Sequence, residues 1–254
     1  MRIVLLTQDE PFYLAENINY LLNNLPNNTE IVATVLFQAS PFGGKKTFVQ
    51  KIKETINIFG VQFFLHYGIK LFLAKFNSKK KISKVLQKHK IPEIRLKKNI
   101  NSKESVNILK SYIPDLLISI AGNQIFKKQI FNLAPKGCLN LHTALLPKYR
   151  GLMPSFWVLK NNEKQTGVSV FFVDEGIDSG EIVVQKTIEI ENKTQAELIK
   201  YSKKIGMDAI IESIEKIRDN KVELIPNNDT EKTYFSFPTK DDVKAFKKAG
   251  KRFF

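Results

Sequence analysis

Unbroken apolar runs alternate along this chain with stretches whose apolar residues recur at helical spacing, and few architectures accommodate that alternation. The run Ile3 to Leu6 comes first, and FYLAENINYLLNNL behind it carries a helical stripe. EIVATVLF is continuous again, as in a strand covered on both faces. The pattern resumes with KISKVLQKHK, IPEIRL, SKESVNILKSY and PDLLISIAG. Together these segments predict an α/β fold: a doubly wound, mostly parallel, Rossmann-like sheet.

The expected organisation is a main domain over residues 1–190, with an inserted helical segment at about 43–84, followed by a helical C-terminal extension over 191–254. Thr194 and Glu197 stand at capping-box spacing ahead of one helix, and a second starts after Thr239 with Asp242 in its first turn. The start lacks a signal-peptide pattern, because polar residues follow Leu6 at once. One cysteine, Cys138, excludes an internal disulfide and suits a reducing compartment, so a cytoplasmic location is expected. Cys138 itself reads as a buried small residue. Forty Lys and Arg against 25 Asp and Glu leave a charge of +15. That field attracts nucleotides, phosphates, polyglutamylated cofactors or anionic lipid without choosing among them.

Several chemistries lack their motifs. LLTQDEPFYL has neither G-x-G-x-x-G nor G-x-x-x-x-G-K-[ST], so no nucleotide is expected on the N-terminus of the first helix. His66, His89 and His142 show no metal-ligand spacing with one another or with Cys138, and no metal is expected. No G-x-S-x-G elbow accompanies the serines.

The segment NLHTALLPKYRG, residues 140–151, is the exception. GCLNLH reads as a short strand, in which Asn140 and His142 project from one face because side chains alternate. A constrained loop follows, and downstream GVSVFFVDEGIDSGEIVVQKTIEI gives two strand-like runs joined by a glycine-rich turn bearing carboxylates. An amide, an imidazole and a carboxylate suit an acyl carbonyl under attack by an amine. Fixed donors stabilise the charge developing on its oxygen, and imidazole exchanges protons near neutrality. The plain alternative is a histidine hydrogen-bonded at a strand end.

NLHTALLPKYRGLMP followed by VDEGIDSG resembles the signature of the folate-dependent formyltransferases, over about residues 112–190 with a weaker likeness from 1 to 40. The resemblance implies the formyltransferase type of Rossmann-like sheet and a catalytic trio of Asn140, His142 and Asp178. It makes Gly122, Asn123, Gln124 and Ile125, together with Asp174 and Gly176, candidates for the cofactor site. The implied co-substrate is 10-formyltetrahydrofolate, without a metal, and the implied reaction moves its formyl group to a primary amine.

For the acceptor, a nucleotide-linked amino sugar is the leading expectation, because the missing glycine loop disfavours glycinamide ribotide and the tail leaves little room for a tRNA-binding module. Methionyl-tRNA stays open. A formyltetrahydrofolate hydrolase is an alternative, although a first strand beginning at Arg2 leaves no space for the regulatory domain such proteins carry ahead of the core. A basic nucleic-acid-binding protein on this scaffold is the non-enzyme alternative.

The stretch TINIFGVQFFLHYGIKLFLAKFNSKKKISK puts Gln62, His66 and Lys70 on one helical stripe, with His66 read as a solvated or hydrogen-bonded residue and not a catalyst. It is expected to pack into the body of the protein or to form a homodimer contact. The alternative is an interfacial helix, over residues 55–81, whose Lys79, Lys80 and Lys81 touch anionic lipid. In the tail, Tyr234, Phe235 and Phe237 read as a strand returning to the body, with Phe246, Phe253 and Phe254 anchoring the last helix, and Trp157 reads as core.

Overall fold

The computed structural model describes residues 1–38, 47–77 and 80–254. Residues 43–46 of the expected insert, and Lys79, lie outside the described residues. In chain order the elements are β1 (Arg2–Gln8), α1 (Leu14–Asn23), β2 (Glu30–Phe37), α2 (Phe48–Phe59), α3 (Val61–Phe76), α4 (Ile82–Lys88), β3 (Glu93–Ile94) and α5 (Lys103–Lys110). They continue with β4 (Leu116–Ile120), α6 (Lys128–Phe131), β5 (Cys138–His142), β6 (Arg150–Gly151), α7 (Pro154–Lys160), β7 (Gln165–Phe172) and β8 (Ile182–Glu189). The tail supplies α8 (Gln195–Arg218), β9 (Tyr234–Phe235) and α9 (Lys240–Lys248).

The central sheet has seven strands in the order β3-β2-β1-β4-β5-β7-β8. The first five are parallel, and β7 and β8 join antiparallel. Its strands look the way they do because both faces are covered. Along β1, Ile3 and Leu5 enter one core cluster while Val4 and Leu6 enter another on the opposite face. Chain order reverses between β1 and β4, so the crevice beyond their carboxyl ends is where a parallel sheet of this kind holds ligands. β5 ends at that same edge with His142.

The long helix α8 shares the first cluster with the sheet, burying Leu198, Met207, Ile210 and Ile214 beside Val168 and Val170. Gly206 permits the approach, since a Cβ there would lie 2.7 Å from Leu141 Cδ2. Both expected capping boxes are present, at Thr194 with Glu197 and at Thr239 with Asp242. Phe246 and Phe253 are buried, stacked on each other at 4.6 Å, and Phe246 stacks on Phe156 at 4.9 Å. Trp157 is core as well, donating its indole N–H to Ser236 O.

Two local expectations change. The strand of the tail does return to the body, but it covers Tyr234–Phe235 without Phe237 and pairs with β6 in a separate two-stranded sheet, because the loop after β5 offers it a free edge. The polar stripe of α3 is also turned the other way. His66 stacks face to face on Phe254 at 3.8 Å, and Lys70 donates to the Tyr13 hydroxyl at 3.0 Å while lying over the rings of Phe12, Tyr13 and Tyr67. Burial pulls the Lys70 pKa below its ordinary value, with Glu10 opposing. Those two polar side chains face the protein, and the aliphatic ones face outward. Among the described residues no helix is long and apolar enough to cross a membrane.

Candidate active site

β5 delivers Asn140 and His142 on one face, two positions apart. Its backbone register is fixed on both sides, with Asn140 opposite Ser119 of β4 and Phe171 of β7. His142 is 7% exposed. Its Nε2 lies 2.7 Å from Tyr149 O. A carbonyl oxygen only accepts, so Nε2 carries the hydrogen and Nδ1 is the ring nitrogen left for proton exchange. Nδ1 faces Asp178 Oδ2 at 3.6 Å. Among the described residues the Asn140 side chain makes no hydrogen bond, and it is only partly buried, so its amide is available to a ligand.

Asp178 sits at φ 51°, a left-handed conformation that Asp tolerates better than most side chains. The Gly151 N–H donates to Asp178 Oδ2 at 2.9 Å. Gly151 is at φ 96°, and a Cβ there would come within 2.2 Å of Phe235 O, so only glycine brings this amide so close to the tail. The neighbouring Arg150 is buried and donates to Asp229 Oδ1 at 2.7 Å and to Asn227 O and Oδ1 at 3.1 and 2.8 Å. Asn227 then donates to the carbonyls of Asp178 and Gly180, both at 2.9 Å. Hydrogen bonds from Lys232 and Arg150 hold the Asp229 carboxyl below its usual pKa range. The tail therefore straps the carboxylate loop to the loop after β5. Sequence reasoning missed Asn227; its place in the turn-forming PNND was its only signal.

Tyr149 completes the strap. Its N–H donates to Thr233 Oγ1, its ring stacks on Phe235 at 5.2 Å, and its hydroxyl donates to Glu163 at 2.6 Å. Burial and the Glu163 bond push the Tyr149 pKa up to about 12, so it stays a donor. Burial likewise raises the Cys138 thiol well above its ordinary value, which fits an inert packing residue.

The remaining sequence candidates line two loops. Asn123 donates to Gln38 O at 2.8 Å, and Gln124 Oε1 accepts from the Ile100 N–H at 2.9 Å, so both side chains brace the loop after β4. A Cβ on Gly122 would lie 2.7 Å from Ser119 Oγ, whereas the Ile125 side chain is 75% exposed. Asp174 accepts from the Gly176 N–H and the Ser179 hydroxyl, closing the turn that leads to Asp178. Among the described residues no three His, Cys, Asp or Glu side chains gather as a metal site would need. At the first helix, the Glu10 carboxylate accepts from the backbone N–H groups of Phe12, Tyr13 and Leu14 at 2.6, 3.1 and 3.2 Å. It occupies the place where a glycine loop would seat a phosphate.

Comparison with known proteins gives the context of this geometry. A methionyl-tRNA formyltransferase of Kosmotoga olearia is 37% identical over 163 residues, covering 64% of this chain and 52% of that protein. The chain thus spans about half the length of the curated relatives it matches. The fold is shared with the Helicobacter canadensis N-formyltransferase solved with folinic acid and dTDP-3-aminofucose, at TM-score 0.59 and 18% identity, covering 97% of this chain and 79% of that one. It is shared too with phosphoribosylglycinamide formyltransferase from Anaplasma phagocytophilum, at TM-score 0.64 and 14% identity, covering 94% and 99%. The profile described as formyl transferase matches residues 1–214, the whole seven-stranded sheet and the His142 and Asp178 loops, and the chain belongs to that family.

Proposed function

We propose that this chain transfers a formyl group from 10-formyltetrahydrofolate to a primary amine, and that the amine is carried by a nucleotide-linked amino sugar. The observation that carries the reaction class is the meeting of His142 Nδ1 and Asp178 at 3.6 Å, beside an Asn140 amide without an internal partner among the described residues. As a free amine attacks the formyl carbon, a C–N bond forms and charge collects on the carbonyl oxygen. The Asn140 amide and the protonated imidazole are the donors for it, each worth roughly 3 kcal/mol in the transition state. The C–N bond to the folate then breaks. His142 Nδ1, held by Asp178, gives its proton to the departing folate nitrogen and takes up the proton lost by the amine. Backbone of the segment Gly122, Asn123, Gln124 and Ile125, with the turn at Asp174 and Gly176, holds the pterin.

The sugar acceptor is supported by the fold shared with the dTDP-3-aminofucose complex and by Glu10, which closes the first helix N-terminus to a substrate phosphate. Methionyl-tRNA is the second reading, favoured by the 37% identity to a methionyl-tRNA formyltransferase. Incubating the purified chain with 10-formyltetrahydrofolate and either nucleotide-linked amino sugars or methionyl-tRNA, with product analysis, separates them. Formylated sugar is the expected product. Formyl-methionyl-tRNA alone moves the acceptor to the second reading, and formate released without an amine makes the protein a hydrolase. Asn140→Ala, His142→Ala and Asp178→Asn are each expected to lower turnover by about a hundredfold or more with unfolding unchanged. Wild-type turnover in any of them removes that residue from the mechanism.

A further inference from the structure

Helix α3 buries one side and leaves the other bare. Phe63, His66, Tyr67, Lys70 and Ala74 face the protein. Val61, Leu65, Ile69, Phe72, Leu73 and Phe76 share the opposite arc and are 55–77% exposed, with nothing within 4 Å of a Cβ built on Gly68 between them. Six large apolar side chains in one outward arc exceed the scattered exposure of an ordinary surface.

The charge around this arc narrows what covers it. No Asp or Glu occurs between Glu54 and Glu93, while Lys70, Lys75, Lys79, Lys80, Lys81, Lys84, Lys88 and Lys90 do. Where the arc ends, a cleft of about 710 Å³ opens, lined by Phe12, Tyr13, Lys80, Lys84 and Lys88, with Glu16 its one carboxylate among the described residues. Among the described residues none of Lys80, Lys81, Lys84 and Lys88 is paired with a carboxylate. A second copy docked face to face would set lysine against lysine, with Glu16 of the cleft too little acid to compensate. RNA would match the lysines and leave the aliphatic arc in water. An anionic bilayer surface satisfies both, taking the apolar arc among its acyl chains and the lysines among its headgroups.

We infer that α3 is a membrane-surface anchor, by which the protein binds anionic lipid with the Val61-to-Phe76 arc immersed and Lys80, Lys81 and the lysines of α4 on the headgroups. The helix lies in the interface. Sixteen residues at 1.5 Å each fall short of a bilayer, and its inner side already has a partner. Its packing on Phe12 and Tyr13, just past β1, places the anchor near the sheet edge that carries His142. The inference holds whichever amine is formylated.

The test is flotation of the full-length chain with vesicles of phosphatidylcholine alone or with roughly a third phosphatidylglycerol, at low and high salt. Binding to the anionic vesicles at low salt is expected. A Phe72→Ser, Leu73→Ser pair should weaken partitioning about tenfold or more, and Lys80→Glu with Lys84→Glu should remove the preference for anionic lipid. Because Phe72, Leu73 and Lys84 are exposed and Lys80 is only half-buried, thermal unfolding should be unchanged. No binding of wild-type protein at low salt overturns the inference, and so does equal binding by the serine pair. A wild-type dimer in sedimentation that this pair dissociates, without vesicle binding, assigns the face to self-association instead.

Discussion

Asn227 spends its amide on the carbonyls of Asp178 and Gly180, and its own carbonyl groups accept from Arg150. It touches none of the proposed reacting atoms, yet it sets where the Asp178 loop stands relative to His142. Asn227→Ala frees two backbone carbonyls in a loop already held at positive φ. The expected outcome is a fall in turnover of roughly ten- to a hundredfold, with little loss of global stability, because misplacing a catalytic group by an ångström is enough. Steady-state kinetics beside a thermal melt checks it; unaltered turnover would mean the strap leaves the carboxylate in place. The residues of the site differ in how far the sequence announces them. Asn140 and His142 share a strand, so their common face follows from alternation, whereas Asn227 and Asp178 meet across 49 positions and nothing local records it.

Among the elements, α9 shows how a helix end becomes pH-sensitive. Burial acts to raise the Asp242 pKa, but hydrogen bonds from Thr239 and Lys160 outweigh it, and the carboxyl titrates below its ordinary range. A depressed folded-state pKa adds stability that is present above the unfolded value and lost as pH falls through the folded one. Asp242→Ala removes half the capping box and the 3.1 Å pair with Lys160. It is expected to destabilise by about 1 kcal/mol at neutral pH. The gap between variant and wild type should close as pH drops below the carboxylate range, measured by denaturant melts across pH. Both capped helices were legible because a capping box is a local pattern spanning four residues. The partner of β9 was not, since a two-residue strand carries no mark of the edge it will join.

At the scale of the whole molecule, the tail and the sheet share one interior. α8 lies in the same cluster as β1, β5 and β7, and Phe246 of α9 packs there with Phe156 and Phe253. The chain is therefore expected to unfold in one transition. Phe246→Ala should lower its stability by about 3–5 kcal/mol and shift the whole transition. Calorimetry decides: a separate low-temperature transition confined to the tail would show that the shared cluster does not couple the two.

Periodicity and short motifs are properties of the chain by itself. They determined the two-faced strands, the doubly wound order, the capped tail helices and the common face of Asn140 and His142. Tertiary structure alone decided the distance at which Asp178 faces His142, that the tail bonds to both loops, and which side of α3 is bare. α3 makes the physical reason plain, because it is apolar around most of its circumference and its one polar stripe does not record which side the rest of the chain will cover. Rings contributed from far along the chain, at Tyr13, Phe253 and Phe254, meet Lys70 by a hydrogen bond, Phe63 edge to face and His66 face to face, and that is enough to turn the aliphatic arc outward.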